Sequence, residues 1–151
     1  MLWKTLEFTH TATWVLGHLQ RFPTMLGWIA PARITHPANG GLVRTPLTVS
    51  GTHTNPKGNF WLVTNSRNEY WPKSKLHFRL NGRWDTEIHT KDGVTSSILL
   101  VKVSDLLQVT FDNWQRCANR TKDWSALILP QTIPKNDLVT VDWIIVNVAA
   151  K

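Results

Sequence analysis

The amino-acid sequence predicts a mainly β protein, an antiparallel β-sandwich or barrel of about seven strands, on three observations. Short runs of β-branched and aromatic residues recur between Arg33 and Trp84. Glycine, proline or asparagine borders each run, which is typical of strands joined by tight turns. A strongly apolar run at 139–148 lies near the C-terminal end. The 151 residues are enough for one domain with a real hydrophobic core.

Five strands are predicted in the middle of the chain. They are Arg33–Thr35, Leu47–Thr52, Phe60–Thr64, Lys75–Leu80 and Arg83–Ile88. The dipeptide Asn81-Gly82 separates the last two runs, and Asn-Gly is a strong signal for a two-residue hairpin turn. We therefore expect the last two strands to form a hairpin.

One helix is predicted between the later strands. Ser96–Val103 is a strongly apolar strand, and Ser104 after it is a good helix N-cap. One face of the helix, which ends near Asn119, carries Leu107, Phe111, Trp114 and Cys117. We expect Cys117 to pack there as a small hydrophobe. Residues 120–138 are predicted to be an irregular connector, and Val139–Val148 is predicted to be a closing strand with two apolar faces.

Residues 1–31 differ in character from the rest, so we divide the chain into a leader at 1–31 and a β-sandwich domain at 32–151. Apolar side chains recur in the leader at helical spacing, and Pro23 ends or kinks the predicted helix. Its candidate interaction residues are Trp14, Val15, Leu19, Phe22 and Trp28. Three roles stay open for this helix: it covers the sandwich, it binds a protein partner or a second copy, or it lies on a membrane surface.

Charge and cysteine content narrow the range of partners. The formal net charge is +7, which favours an anionic ligand such as nucleic acid, a nucleotide or acidic lipid. A single cysteine excludes an intrachain disulfide and suits a reducing compartment. The chain lacks a run of about 18 apolar residues, so no integral membrane span is expected. We expect a cytoplasmic location, with peripheral contact at the inner membrane surface as an alternative.

The candidate ligand-binding surface lies between residues 57 and 91, which hold seven basic and three acidic side chains. Basic residues and His77 alternate there with Leu76, Phe78 and Leu80, so one face of the predicted strand is basic and the other apolar. Nearby aromatic rings can stack on bases or sugars. The candidate residues are Tyr70, Trp71, Lys73, Lys75, Arg79 and Arg83. Two other interpretations stay open: a solvated strand face whose charges discourage edge pairing, and a sugar-binding aromatic platform.

No catalytic, metal or cofactor site is predicted. The sequence contains no glycine-rich dinucleotide motif, P-loop or nucleophile elbow. The six histidines lack the spacing of metal ligands. His77 and His89 could approach each other across the predicted hairpin, but we expect both to be exposed strand residues. We therefore expect no cofactor, no metal ion and no enzymatic activity.

A series of short motifs runs from Arg33 to the C-terminus. In chain order they are Ile34–Gly40 with Pro37, Val49–Thr52, Pro56–Gly58, Trp61–Val63, Tyr70–Pro72, Gly82–Trp84, the helix at Asp105–Asn119, and Val139–Val141. This order resembles that of a bacterial Ig-like accessory domain and covers about four-fifths of the chain. The resemblance implies that residues 32–151 form an Ig-like antiparallel β-sandwich of about seven strands, of the kind carried by membrane-linked, signalling or defence proteins. It implies no catalytic residues.

We therefore expect a non-enzymatic binding or assembly module, a bacterial accessory protein that acts through its apolar leader helix and its basic, aromatic surface. The first alternative is a nucleic-acid- or nucleotide-binding protein that uses the same surface. The second is a small effector enzyme without a recognisable motif.

Overall fold

The structure is a computed structural model that describes residues 30–130 and 133–151. This part of the chain holds nine β-strands and one α-helix. The strands are β1 (Ala32–His36), β2 (Gly41–Val43), β3 (Leu47–His53), β4 (Asn59–Ser66), β5 (Glu69–Lys75), β6 (Arg83–Ile88), β7 (Thr95–Val103), β8 (Leu127–Ile128) and β9 (Leu138–Val148). The helix α1 (Asp105–Thr121) lies between β7 and β8 in the chain. The predicted leader helix lies outside the described residues.

The strands form two sheets that pack on each other. One sheet has the order β1-β3-β6, and the other has the order β2-β9-β7-β4-β5-β8. Every pairing is antiparallel except that of β2 with β9. Alternation along β3 and β6 buries Val49, Trp84 and Ile88 in one core with Phe60 and Leu62 of β4. Burial of these apolar faces holds the two sheets together.

The helix covers the opposite face of the six-stranded sheet. β4 is buried on both faces, and its residues Trp61 and Val63 belong to a second core with Leu107 and Phe111 of α1. The rings of Trp61 and Phe111 meet edge to face, with 5.3 Å between their centroids. Ser104 begins the helix, because its side-chain oxygen accepts a hydrogen bond from the Leu107 N–H at 3.2 Å.

The predicted fold class is confirmed in its coarse form: a mainly β protein with two sheets and one helix before the last strand. Six predicted strands are confirmed, at 33–35, 47–52, 60–64, 83–88, 96–103 and 139–148, with small differences at their ends. All four residues from Val141 to Ile144 of β9 are buried, as its two apolar faces predicted. The described residues form nine strands rather than about seven, because β2 and β8 have three and two residues and carry too little pattern to predict.

The predicted strand Lys75–Leu80 is wrong. The strand here is β5, which ends at Lys75, and a loop follows it. Leu76 is buried and Phe78 half-buried at one edge of the core, where the Phe78 ring stacks on His53 with 4.5 Å between centroids. Leu80 is 99% exposed. The alternation therefore came from a loop that enters the core at two points.

The predicted hairpin and the predicted burial of Cys117 are also wrong. β5 pairs with β4 and β8, whereas β6 pairs with β3 in the other sheet. Cys117 is exposed, and Ala118 is the buried residue in this turn of α1. Because an α-helix turns about 100° per residue, burial of Ala118 directs its neighbour toward solvent.

Candidate ligand-binding groove

A groove opens where β5, β6, α1 and the loop after α1 meet. It encloses about 530 Å³, a size typical of small-ligand sites. Its walls carry three indole rings: Trp71 from β5, Trp114 from α1 and Trp124 from the loop. The other lining residues are Pro72, Lys73, Glu87, Ile88, His89, Thr90, Gln115 and Asn119. We call this site the tryptophan groove.

Hydrogen bonds to main-chain carbonyls fix two of the indole rings. Trp71 Nε1 donates to the carbonyl oxygen of Trp124 at 3.2 Å, and Trp114 Nε1 donates to that of Ser125 at 3.1 Å. The rings of Trp114 and Trp124 meet edge to face at 5.9 Å, with 68° between their planes. The aromatic walls are therefore positioned before any ligand arrives, which lowers the entropic cost of binding.

Local hydrogen bonds also hold the loop that carries Trp124. The helix is capped by Lys122 in the left-handed conformation, with φ 59°. Asp123 Oδ1 then accepts hydrogen bonds from the hydroxyl of Ser125 at 2.6 Å and from its N–H at 3.0 Å, and these bonds hold the pKa of Asp123 below its ordinary value. Trp124, between these two residues, is 50% exposed. A large apolar ring thus stays half in solvent on a loop that is held in place.

A β-bulge in β5 sets the position of Lys73. Two consecutive residues of β4 pair with Pro72 and Ser74, so Lys73 is the extra residue between them. Proline suits such an irregular position, because it has no N–H to contribute to the ladder. Gln115 Nε2 from α1 donates to the carbonyl oxygens of Pro72 at 3.2 Å and Lys73 at 2.9 Å. This part of β5 is therefore attached to the helix through one side-chain amide.

A second groove of about 460 Å³ adjoins the first and shares Lys73 and Gln115 with it. Its lining residues are Lys73, Ser74, Lys75, His77, Phe78, Arg79, Asp85, Thr86 and Gln115. We call it the basic groove. It follows the junction between the two sheets, where the hydroxyl oxygens of Ser74 and Thr86 lie 2.8 Å apart. Arg79 already has a partner, because its Nη2 lies 2.7 Å from the carboxylate of Asp85.

The charge of Lys73 has no such partner among the residues that the structure describes. Desolvation by burial lowers the pKa of Lys73, because the ammonium loses water that stabilises its charge. Within residues 30–130 and 133–151, no carboxylate lies within ion-pairing distance of its Nζ. Glu87 is the one carboxylate among the described residues that line the tryptophan groove. The junction of the two grooves is therefore a place where an anion would be stabilised.

Four of the six candidate residues line the two grooves. Trp71 and Lys73 line the tryptophan groove, and Lys73, Lys75 and Arg79 line the basic groove. Tyr70 does not join them: it is half-buried against the second core, where burial raises its pKa. The four groove residues lie on β5 and the loop after it rather than on the predicted hairpin.

The remaining candidates lie elsewhere. Arg83 is exposed on β6 and lines neither groove. The predicted interaction residues of the leader lie outside the described residues; they are Trp14, Val15, Leu19, Phe22 and Trp28.

Sequence interpretation missed the residues that α1 and its following loop contribute. The sequence predicts Trp114 only as part of an apolar helix face, and Gln115 has no signal of its own. The signal for Trp124 was its position between Asp123 and Ser125, a pair typical of an Asx-turn just after a helix. The turn at Asp123–Ser125 faces β5 because of the order of strands in the sheet, and the sequence does not reveal that order.

The histidines expected on a hairpin are both exposed but separated. His77 lines the basic groove and His89 the tryptophan groove, both lie outside the strands, and the hairpin expected to bring them together is not formed. In the described ranges, no three histidine, cysteine, aspartate or glutamate side chains are grouped as metal ligands would be.

No protein-family model, curated protein or solved structure matches this chain. Among the residues that the structure describes, none forms a helix long and apolar enough to span a bilayer. A function is therefore best argued from the chemistry of the two grooves.

Proposed function

We propose that this protein is a non-enzymatic binding module whose ligand occupies the tryptophan groove. One observation carries the proposal: three indole rings surround a groove of about 530 Å³, and hydrogen bonds from Trp71 and Trp114 hold the walls in place. Ligand sites typically combine such aromatic walls with a few polar groups that fix orientation. Lys73 and Glu87 supply charged groups of both signs here.

The exposed ring of Trp124 supplies a driving force for binding. A tryptophan buries about 200 Å² when it is fully covered, so a ring that is half-exposed offers about 100 Å² to a ligand. At about 25 cal/mol per Å², covering that area contributes about 2.5 kcal/mol. A planar or apolar ring of matching size is the ligand fragment that would gain most of it.

Ligand-observed NMR tests this proposal with a panel of ring-containing probes: adenosine, AMP, methyl β-glucoside, glucuronate and indole. We expect at least one probe to show saturation transfer from the wild-type protein and to lose it in Trp124→Ala. The matched control is Leu42→Ala, which removes a side chain that is 77% exposed on β2 and lines neither groove. The proposal fails if no probe distinguishes Trp124→Ala from that control.

We also propose that the two-sheet fold is Ig-like and serves as a bacterial accessory domain, on the support of the motif order from Ile34 to Val141. Assembly through the leader is a further proposal, supported by the apolar helical spacing of Val15 and Leu19. Light scattering on the full chain tests it. The variant Val15→Asp/Leu19→Asp should have the mass of a single chain if wild type is an oligomer, and a wild-type protein that is already monomeric rejects self-association.

A further inference from the structure

The two grooves adjoin each other and differ in their chemistry. They share Lys73 and Gln115, so a ligand longer than one ring can extend from one groove into the other. The tryptophan groove offers indole rings to a flat group. The basic groove offers ammonium and guanidinium groups to an anion.

The charges around the junction indicate where the anion would lie. Arg79 is paired with Asp85 at 2.7 Å, so that pair contributes little net charge. Lys73 and Lys75 both line the basic groove, and within the described part of the chain neither has a carboxylate in ion-pairing range. Glu87 lines the tryptophan groove and would repel an anion there. The anionic end of a ligand is therefore favoured on the side of the two lysines.

The tryptophan groove also has a group that suits the ribose of a nucleotide. A carboxylate accepts hydrogen bonds from ribose hydroxyls, and Glu87 is the group on the tryptophan groove that can do so. Bases stack on tryptophan rings, and this contact tolerates different bases because each has a π-face. In this arrangement the base would contact the indole rings, the ribose would contact Glu87, and the phosphate would contact the lysine pair.

Resting on the proposed function, we infer that the ligand is a nucleoside phosphate, with its base on Trp71 and Trp124 and its phosphate at Lys73 and Lys75. Two sources share this chemistry: a free nucleotide and a unit of a single-stranded nucleic acid. Lys73 recognises the phosphate in either case, because its charge is partly desolvated and lacks a carboxylate partner in the described residues.

Isothermal titration at low salt with AMP and adenosine tests the inference. We expect AMP to bind at least about tenfold more tightly than adenosine, since a hydrogen bond to a charged group contributes that much. Lys73→Met keeps the apolar stem and should reduce the difference, because only Lys75 then remains for the phosphate. Lys57→Met, which changes an exposed lysine that lines neither groove, should leave the difference unchanged. Trp124→Ala should weaken both probes alike.

The outcomes separate this inference from the proposed function. Equal binding of AMP and adenosine, with both lost in Trp124→Ala, overturns the phosphate assignment and leaves the binding module standing. Binding of glucuronate or methyl β-glucoside in place of both nucleoside probes has the same meaning. If no probe depends on Trp124, both proposals fail.

A last arm identifies the source of the nucleoside phosphate. A six-nucleotide oligoadenylate that binds more tightly than AMP, with an affinity that falls steeply with salt, indicates a nucleic-acid strand. No gain over AMP indicates a free nucleotide. Both results support the inference, provided that the Lys73→Met variant weakens binding.

Discussion

A buried hydrogen bond attaches the first part of α1, the helix that carries Trp114 and Gln115, to the six-stranded sheet. Breaking this bond tests how α1 packs on the sheet. The indole N–H of Trp61 donates to Oε1 of Gln108. Trp61 has no exposed surface and Gln108 is 8% exposed, so water cannot replace either partner. The amide of Gln108 continues to Asp112 at 2.8 Å. Trp61→Phe and Gln108→Met each leave one buried polar group unpaired.

The size of the effect follows from this burial. Each unpaired group costs about 1–3 kcal/mol. The smaller phenylalanine ring also leaves a cavity that costs about 1 kcal/mol. We therefore expect Trp61→Phe to lower the free energy of unfolding by about 3 kcal/mol and Gln108→Met by about 2 kcal/mol. The double variant has neither orphaned group, so both penalties are relieved and its loss should be smaller than the sum by about 2–4 kcal/mol.

Urea unfolding of the four proteins, followed by circular dichroism, measures this coupling. The slopes with urea should agree among the variants, since each exposes the same surface on unfolding. Additive losses, with a coupling energy within about 0.5 kcal/mol of zero, would refute the buried Trp61–Gln108 contact. Thr110→Ala is a useful control on the same helix, because the Thr110 hydroxyl only donates to the Leu106 carbonyl on the exposed side.

Two further predictions concern β5 and β3. Burial lowers the pKa of Lys73 below its ordinary value of 10.5, so the unfolded chain binds this proton more tightly than the folded one does. The free energy of unfolding of wild type, relative to that of Lys73→Met, should therefore rise as the pH increases toward 10.5. Urea unfolding of both proteins at several pH values below 10.5 measures this difference, and a difference that falls with pH contradicts the prediction. A Cβ at Gly51 would lie 2.6 Å from the Trp84 ring and closer still to the Arg33 carbonyl, so Gly51→Ala should cost roughly 3 kcal/mol in thermal or urea unfolding. A loss below about 1 kcal/mol would show that β3 can move away from its neighbours.

The sequence predicts those helices and strands that are determined by residues close to one another in the chain. Ser104 caps α1 because its hydroxyl reaches an N–H three residues later, and that spacing is visible in the sequence. The strands at 47–53 and 83–88 alternate because one face of each is buried. The loop after Lys75 has the same alternation without being a strand, because Leu76 and Phe78 enter the core from the loop.

The site was harder to predict because its parts come together only through the order of strands in the sheets. The charged residues near Lys73 stood out in the sequence, and so did Trp71. Their pairing with Trp114 and Trp124 requires β5 to lie toward the edge of the six-stranded sheet that the helix end reaches. Neither residue spacing nor composition specifies that order, since it depends on which sheet each successive strand joins.

The location of the groove has a physical reason in β5 itself. Beyond Tyr70, no described residue pairs with the outer edge of this strand, and the bulge at Lys73 breaks its regular pairing on the inner edge. An edge of this kind would expose unpaired carbonyls, and Gln115 satisfies two of them from the helix. The Gln115 side chain connects α1 to β5 but does not fill the gap between them, so space remains beside the strand, between the helix and β6. The same irregularity that weakens the sheet therefore opens the groove and places Lys73 on its wall.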